Sequence, residues 1–220
     1  MMIFKILGLM ALGYFWSGVA IASLHRYAHK GRLVERGPKC PSSAAIYRAY
    51  HLAHHRQIHQ EVTPCRRKLS VREWANKLGW AIGFALTNPR WIALRTLYAG
   101  TSIALFIVLT IAMRFELCSF RFVAWGSGAF LLGAFTCLLA YDLCHAWTHE
   151  GGPFPSKLHA KHHGRPSDNF GMWRWHNWAN ATTTKGTVWM LLISEKVATL
   201  IPPLRRRLHR EVWLATQPAE

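Results

Sequence analysis

Acidic residues are scarce in this 220-residue sequence. It has 10 Asp and Glu against 27 Lys and Arg, which gives a formal net charge of +17 at pH 7. The basic residues lie between long apolar runs and do not form the arm or stripe that is typical of nucleic-acid-binding domains. We therefore expect no nucleic-acid partner, and we expect anionic membrane lipids to be the partner of this charge.

Cysteine is also rare. The five cysteines are odd in number and show no CxxC spacing, which argues against a disulfide framework and against a thiolate metal site. No stretch of the sequence resembles a flavin, haem or iron–sulfur module. Any redox chemistry must therefore depend on other metal ligands and on electrons from a separate protein.

Three apolar runs have the length that crossing a bilayer requires, and none of them contains His, Asp or Glu. They cover residues 6–24, 96–113 and 122–141. The first run is longer than the core of a secretory signal, so we interpret it as a retained anchor. The short connection 114–121 between the other two predicts an antiparallel pair of spanning helices.

The remaining segments complete the predicted architecture. We expect an all-α fold in which residues 1–220 form one integral-membrane helical bundle. The histidine-rich segments 25–72 and 142–180 would build a helical cap, and the segment 187–210 would lie at the membrane interface. Residues 25–95 carry 14 Lys and Arg, so the positive-inside rule predicts that this cap is cytoplasmic.

Histidine is the abundant candidate ligand, with 13 residues. Ten of them form four clusters in the order HxxxH, HxxHH, HxxxH, HxxHH. These ten are His25, His29, His51, His54, His55, His145, His149, His159, His162 and His163. Residues three or four apart share one face of a helix, so each cluster can present two imidazoles to one ion. Ten ligands exceed what one ion can use, which predicts a two-metal site.

The metal itself follows from the ligand type. Neutral imidazole suits iron, zinc, copper and nickel. A pair of redox-inactive zinc ions would leave a site beside the membrane without an evident reaction. We therefore predict two iron ions, which zinc can replace in the purified protein, and no catalytic residues beyond the ligands.

The four-cluster order beside membrane helices resembles the fatty acid hydroxylase and sterol desaturase superfamily of integral-membrane di-iron enzymes. The resemblance covers roughly residues 25–171 and includes the Asn169-Phe170-Gly171 triplet after the last cluster. It implies an O₂-dependent oxidoreductase that hydroxylates or desaturates a C–H bond of a lipid. The ten clustered histidines would bind the iron, and electrons would come from a cytochrome, ferredoxin or reductase.

Three further residues are candidates for orienting the ligands. Asp142 lies about one helical turn before His145, and His59 continues the helical face of His55. Asp142 can equally be a charge at the end of a span that faces lipid headgroups. His176 lies in a tryptophan-rich stretch that can also be read as an interfacial belt.

Two other functions remain open for a chain of this kind. One is a metal-binding membrane transporter, although a transporter places ionisable ligands within its spans at mid-membrane. The other is a non-catalytic metal-binding membrane protein.

Overall fold

The computed structural model is helical nearly throughout the part of the chain that it describes, which is residues 2–30, 42–57, 63–165, 172–203, 205–206 and 208–210. The described residues form no strand, and their one isolated β-bridge joins Arg66 and Gly152. A 3₁₀ turn, Pro89–Trp91, precedes α4. The seven α-helices are α1 (Met2–Lys30), α2 (Ser42–Gln57), α3 (Val71–Thr87), α4 (Ile92–Arg114), α5 (Phe120–Glu150), α6 (Lys157–Gly164) and α7 (Arg174–Leu200).

Helices α1, α4 and α5 are long and apolar enough to cross a membrane. They contain the three predicted runs, so an all-helical fold with three candidate membrane-spanning helices is confirmed for the described residues. Both α1 and α5 continue past their apolar runs, because helical hydrogen bonding does not stop where the side chains become polar. Their last turns carry the HxxxH pairs, which places these histidines at one end of the bundle.

Glycines allow α1 and α5 to pack closely. A Cβ atom added at Gly13 would meet the backbone carbonyl of Phe130, and one added at Gly133 would meet the carbonyl of Met10. Only hydrogen side chains fit at these two contacts. The close approach holds the two HxxxH pairs at a fixed separation.

Helix α7 packs against α1 and α4. A Cβ at Gly18 would meet the rings of Trp175 and His176, and one at Gly100 would meet Ser194. The helix begins well before the predicted interfacial segment 187–210, and it continues through Glu195 without a break. It is not among the helices that are apolar enough to span, and its position at the membrane interface remains a prediction.

The chain turns sharply between α5 and α6. Gly151 has φ +80°, a conformation that favours glycine. A Cβ at the next residue, Gly152, would overlap the ring of Trp147. Backbone hydrogen bonds from Gly152 to Cys65 and from Arg67 to Gly152 tie this turn to the segment before α3. The turn folds α6 back towards the end of α5.

The helix contact at Gly133 gives a test with an internal control. Gly133→Ala should lower the free energy of unfolding by about 1–3 kcal/mol, since the added methyl group overlaps the Met10 carbonyl. Gly128→Ala lies on the same helix with open space around its Cβ, so it should be neutral or stabilise by up to about 1 kcal/mol. Thermal unfolding in detergent measures both, and equal melting temperatures would contradict the described packing.

Candidate metal centre

The structure divides the ten clustered histidines into two groups of five. In each group the five candidate ligand nitrogens all lie within 4.8 Å of one another. We call them group A and group B. Group A consists of His25, His29, His51, His55 and His162, and group B consists of His54, His145, His149, His159 and His163.

The two groups are built by the same rule. Each takes an HxxxH pair from the end of a candidate membrane-spanning helix, α1 for group A and α5 for group B. Each also takes the first and last histidines of one HxxHH helix, and the middle histidine of the other. His54 of α2 therefore joins group B, and His162 of α6 joins group A.

Helix geometry explains this exchange. At 3.6 residues per turn, the last histidine of HxxHH lies about 40° to one side of the first, and the middle one about 60° to the other side. One short helix can thus serve two neighbouring sites. The two groups touch where the rings of His55 and His163 stack, with centroids 4.5 Å apart.

The nitrogens of group A converge closely. His162 Nε2 lies 2.8 Å from His25 Nε2, 3.0 Å from His29 Nε2 and 3.2 Å from His55 Nε2. His51 Nε2 lies 2.7 Å from His29 Nε2. An ion with ligands at about 2.1 Å in square or octahedral geometry has neighbouring nitrogens about 3.0 Å apart. These separations are therefore those of ligands around one ion.

Group B contains buried ring nitrogens without hydrogen-bond partners, which a cation would satisfy. The Nε2 atoms of His54, His145 and His149 are buried, and they have no hydrogen-bond partner among the described residues. His159 Nε2 and His163 Nε2 are 3.1 Å apart. Buried polar atoms without partners are costly, and an ion at their centre would satisfy all of them.

Hydrogen bonding among the rings cannot replace an ion. A neutral imidazole has one N–H and one lone pair, so His162 Nε2 can satisfy at most one of the three nitrogens that face it. His29 Nε2 can pair with His51 Nε2. Each nitrogen can take part in one such bond, so the five nitrogens of group A cannot all be paired with one another. A divalent cation accepts every lone pair at once, so the residues present fit a metal in each group.

Burial keeps the cap imidazoles neutral. It lowers the pKa of His54 to about 3 and that of His55 to about 2, and neighbouring imidazoles and Arg90 add to the shift at His54. Burial also lowers the pKa of His159 well below its ordinary value. The lone pairs that a metal needs are therefore free of protons at neutral pH.

The predicted orienting residues have other neighbours. Asp142 is buried beside Arg90 and Trp91, and it makes no hydrogen bond to a histidine in the described part of the chain. His176 packs against Gly18, about 10 Å along α1 from His25 at 1.5 Å per residue, and lies outside both groups. His59 lies outside the described residues, as does the Asn169-Phe170-Gly171 triplet.

Two tyrosines beside the groups are not among the residues predicted from the sequence. The ring of Tyr47 stacks on His51 with an interplanar angle of 4°, and that of Tyr141 stacks on His145 at 11°. The Tyr141 hydroxyl is 3.5 Å from His25 Nδ1. Both tyrosines precede the histidine on which they stack by four residues, and this repeated YxxxH spacing is the signal that finds them.

Glu195 fixes the position of α2. Its Oε1 atom accepts hydrogen bonds from the backbone N–H of Ser43, at 2.8 Å, and from the Ser43 hydroxyl. A carboxylate at a helix N-terminus satisfies free N–H groups and interacts favourably with the helix dipole. This contact joins α7 to the helix that carries His51, His54 and His55. No local sequence pattern reveals it, because the partners are 152 residues apart.

Comparisons with protein-family models, with curated proteins and with solved structures give no match. The chemistry of the two histidine groups is therefore the basis for assigning a function.

The Glu195 contact predicts a stability effect. Glu195→Ala should lower the free energy of unfolding by about 1–2 kcal/mol, because the N-terminus of α2 loses its acceptor. Glu195→Gln keeps a neutral acceptor, so its free energy of unfolding should lie between those of the wild type and Glu195→Ala. Lys196→Ala, at the exposed neighbouring position, is the control, and it should change the free energy of unfolding little. Thermal unfolding distinguishes them, and an Ala variant as stable as the control would refute this role.

The histidine pKa values predict acid sensitivity of the metal-free protein. Unfolded imidazoles bind protons near pH 6.5, whereas His54 and His55 stay neutral in the fold. The unfolded state therefore takes up protons first, and the fold loses stability as the pH decreases below about 6.5. Chelator-treated protein should melt at a lower temperature at pH 5.5 than at pH 7.5. His54→Gln with His55→Gln should reduce this difference, and a melting temperature that rises on acidification would contradict the account.

Proposed function

We propose that this protein is an integral-membrane, O₂-dependent hydroxylase or desaturase that acts on a C–H bond of a lipid and uses two iron ions. This is the function implied by its resemblance to the fatty acid hydroxylase and sterol desaturase superfamily, to which we propose that it belongs. One observation carries the proposal: ten histidines form two adjoining groups of five at the ends of two candidate membrane helices.

The ligand set favours iron chemistry. Two adjacent redox-active ions, when bound, supply the oxidising power that breaking an alkyl C–H bond requires. The five imidazoles of each group would hold one ion. All ten histidines would bind as neutral ligands, so they would leave the positive charge of the bound ions uncompensated.

The protein's own residues would bind and orient the reactants. His25, His51 and His162 are buried, as are His159 and His163, so water has little access to either group from their side. Helices α1 and α5 place the groups directly beyond their apolar runs. A lipid chain leaving the bilayer would therefore reach the groups without crossing open water.

The proposed reaction needs an external electron donor. Hydroxylation balances as RH + O₂ + 2 e⁻ + 2 H⁺ → ROH + H₂O, and desaturation consumes the same O₂, electrons and protons and releases two waters. The sequence resembles no electron-carrying module. A cytochrome, ferredoxin or reductase would supply the electrons, and the basic loops offer an acidic donor a complementary surface.

We further propose that the histidine groups face the cytoplasm. The loops before α4 and after α5 hold most of the 27 basic residues, while the N-terminus and the α4–α5 turn hold Lys5, Arg114 and Arg121. The positive-inside rule then puts the loops that are rich in Lys and Arg on the cytoplasmic side. There they can also contact anionic lipid headgroups.

A metal transporter is the less favoured alternative. Transport sites lie near mid-membrane, where they exchange access between the two sides. Both histidine groups instead lie at one end of α1 and α5. A non-catalytic metal-binding protein would share the same geometry, and only product formation distinguishes it from an enzyme.

Metal analysis of two double variants on α6 tests the proposal. Protein from iron-supplemented cells should contain about two irons per chain. His159→Ala with His163→Ala removes two ligands of group B and should leave about one iron. His162→Ala with His163→Ala removes one ligand from each group and should weaken both sites.

The exposed His209 supplies the control, since His209→Ala should leave the iron content unchanged. Lipid extracts incubated with O₂ and a reductant should then yield a hydroxylated or unsaturated product with the wild-type protein only. Zinc alone in protein from iron-supplemented cells, or iron that survives both double variants, would refute the di-iron assignment. Two irons without any oxidised lipid would leave a metal-binding protein and refute the oxygenase.

A further inference from the structure

A buried layer of polar residues lies next to both histidine groups. It consists of Tyr47 from α2, Arg90 and Trp91 from the 3₁₀ turn, and Asp142 from α5. Tyr47 and Trp91 are 0% exposed, Asp142 is 2% and Arg90 is 6% exposed. Tyr47 precedes His51 by one helical turn, and Asp142 precedes His145 by about as much. The layer therefore lies one turn behind the candidate ligands.

These side chains lie close together: Arg90 is within hydrogen-bonding reach of Tyr47, and Trp91 is within reach of Asp142. Arg90 opposes the rise that burial causes in the pKa of Tyr47, which reaches about 12, and it also interacts with the Asp142 carboxylate. None of these approaches is well enough aligned to form a full hydrogen bond, and five atoms of the layer have no such bond in the described part of the chain. They are Tyr47 Oη, Arg90 Nε, Arg90 Nη2, Trp91 Nε1 and Asp142 Oδ2.

So many unpaired atoms in one place call for a ligand. Each unsatisfied buried polar group costs about 1–3 kcal/mol, and charged groups cost more. Polar atoms that interact across more than 3.5 Å are commonly bridged by water. The set contains donors on Arg90 and Trp91, an acceptor on Asp142 and a hydroxyl that can do both. Water, which donates and accepts equally, is the ligand that satisfies all of them.

The layer also contacts the histidines through aromatic rings. Trp91 lies 5.8 Å, centroid to centroid, from both Tyr47 and Tyr141. Those tyrosines stack on His51 of group A and His145 of group B. Any molecule held among Tyr47, Trp91 and Asp142 is therefore within one side-chain layer of both groups.

We propose that ordered water molecules occupy the space among Tyr47, Arg90, Trp91 and Asp142, and that they bring protons to the metal centre from its buried side. The second part rests on the proposed function, because the oxygenase reaction consumes two protons for each turnover. The protons move along the hydrogen bonds of the water itself, so no side chain in the layer has to change its charge. The occupancy by water does not depend on metal or on activity.

X-ray radiolytic labelling tests the occupancy. Radicals formed from bound water label the side chains beside it, even where bulk solvent has no access. Tyr47 should be labelled at least about three times faster than Tyr98, whose hydroxyl is satisfied by Ser17 at 2.5 Å. Tyr98 is a matched control because it is also buried, at 7% exposure. Equal rates for the two tyrosines would overturn the water site.

A density map provides a second measurement that needs no variant. Water peaks within hydrogen-bond distance of Asp142 Oδ2 and Arg90 Nη2 are expected in a map of sufficient resolution. A dry contact, in which these atoms bond directly to each other, would contradict the proposal.

The proton role has its own test in iron-loaded protein. Asp142→Leu removes the acceptor that holds the water, so lipid product formed per electron consumed should fall several-fold, while iron content stays at the wild-type level. Asp142→Asn keeps an acceptor, so it should restore most of the coupling, which is the lipid product formed per electron consumed. Labelled Tyr47 together with unchanged coupling in the Leu variant would overturn the proton role and leave the water site standing. Protein that binds no iron would instead refute the proposed function, whatever the labelling shows.

Discussion

The mutual repulsion of converging imidazole nitrogens is the constraint on which this structure depends. In group A, four Nε2–Nε2 separations lie between 2.7 and 3.2 Å, and neutral rings cannot pair all of these atoms with hydrogen bonds. A cation that accepted the lone pairs would relieve this conflict. The surrounding helices can then be understood as the frame that brings ten such rings to two points.

That frame combines tight packing with long-range contacts. Glycines at the α1–α5 crossing set the separation of the two HxxxH pairs, and the glycine turn after α5 folds α6 back over them. Glu195 holds the start of α2 from the far end of the sequence. Because each HxxHH helix serves both groups, neither site is complete without the other half of the chain. This sharing ties metal binding to the fold as a whole.

The spans and the candidate ligands could be predicted from the sequence because they depend on local patterns. Long uncharged runs predict helices α1, α4 and α5, and HxxxH and HxxHH spacings place imidazoles on helix faces. The distribution of His54 and His162 to opposite groups could not be predicted, since it depends on how α2 and α6 lie against each other. Arg90 and Glu195 also escaped prediction, because their partners are distant in sequence. Asp142 is a candidate for orienting a histidine on sequence grounds, and the 3₁₀ turn before α4 places Arg90 and Trp91 beside it.

X-ray absorption at the iron edge of the purified protein tests the central claim most directly. The account predicts that each iron has about five imidazole rings around it at about 2.1–2.2 Å, with no sulfur ligand. The multiple-scattering pattern of imidazole would reveal this. An iron bound mainly by carboxylate or sulfur, or by only one or two imidazoles, would contradict the assignment of two five-histidine sites.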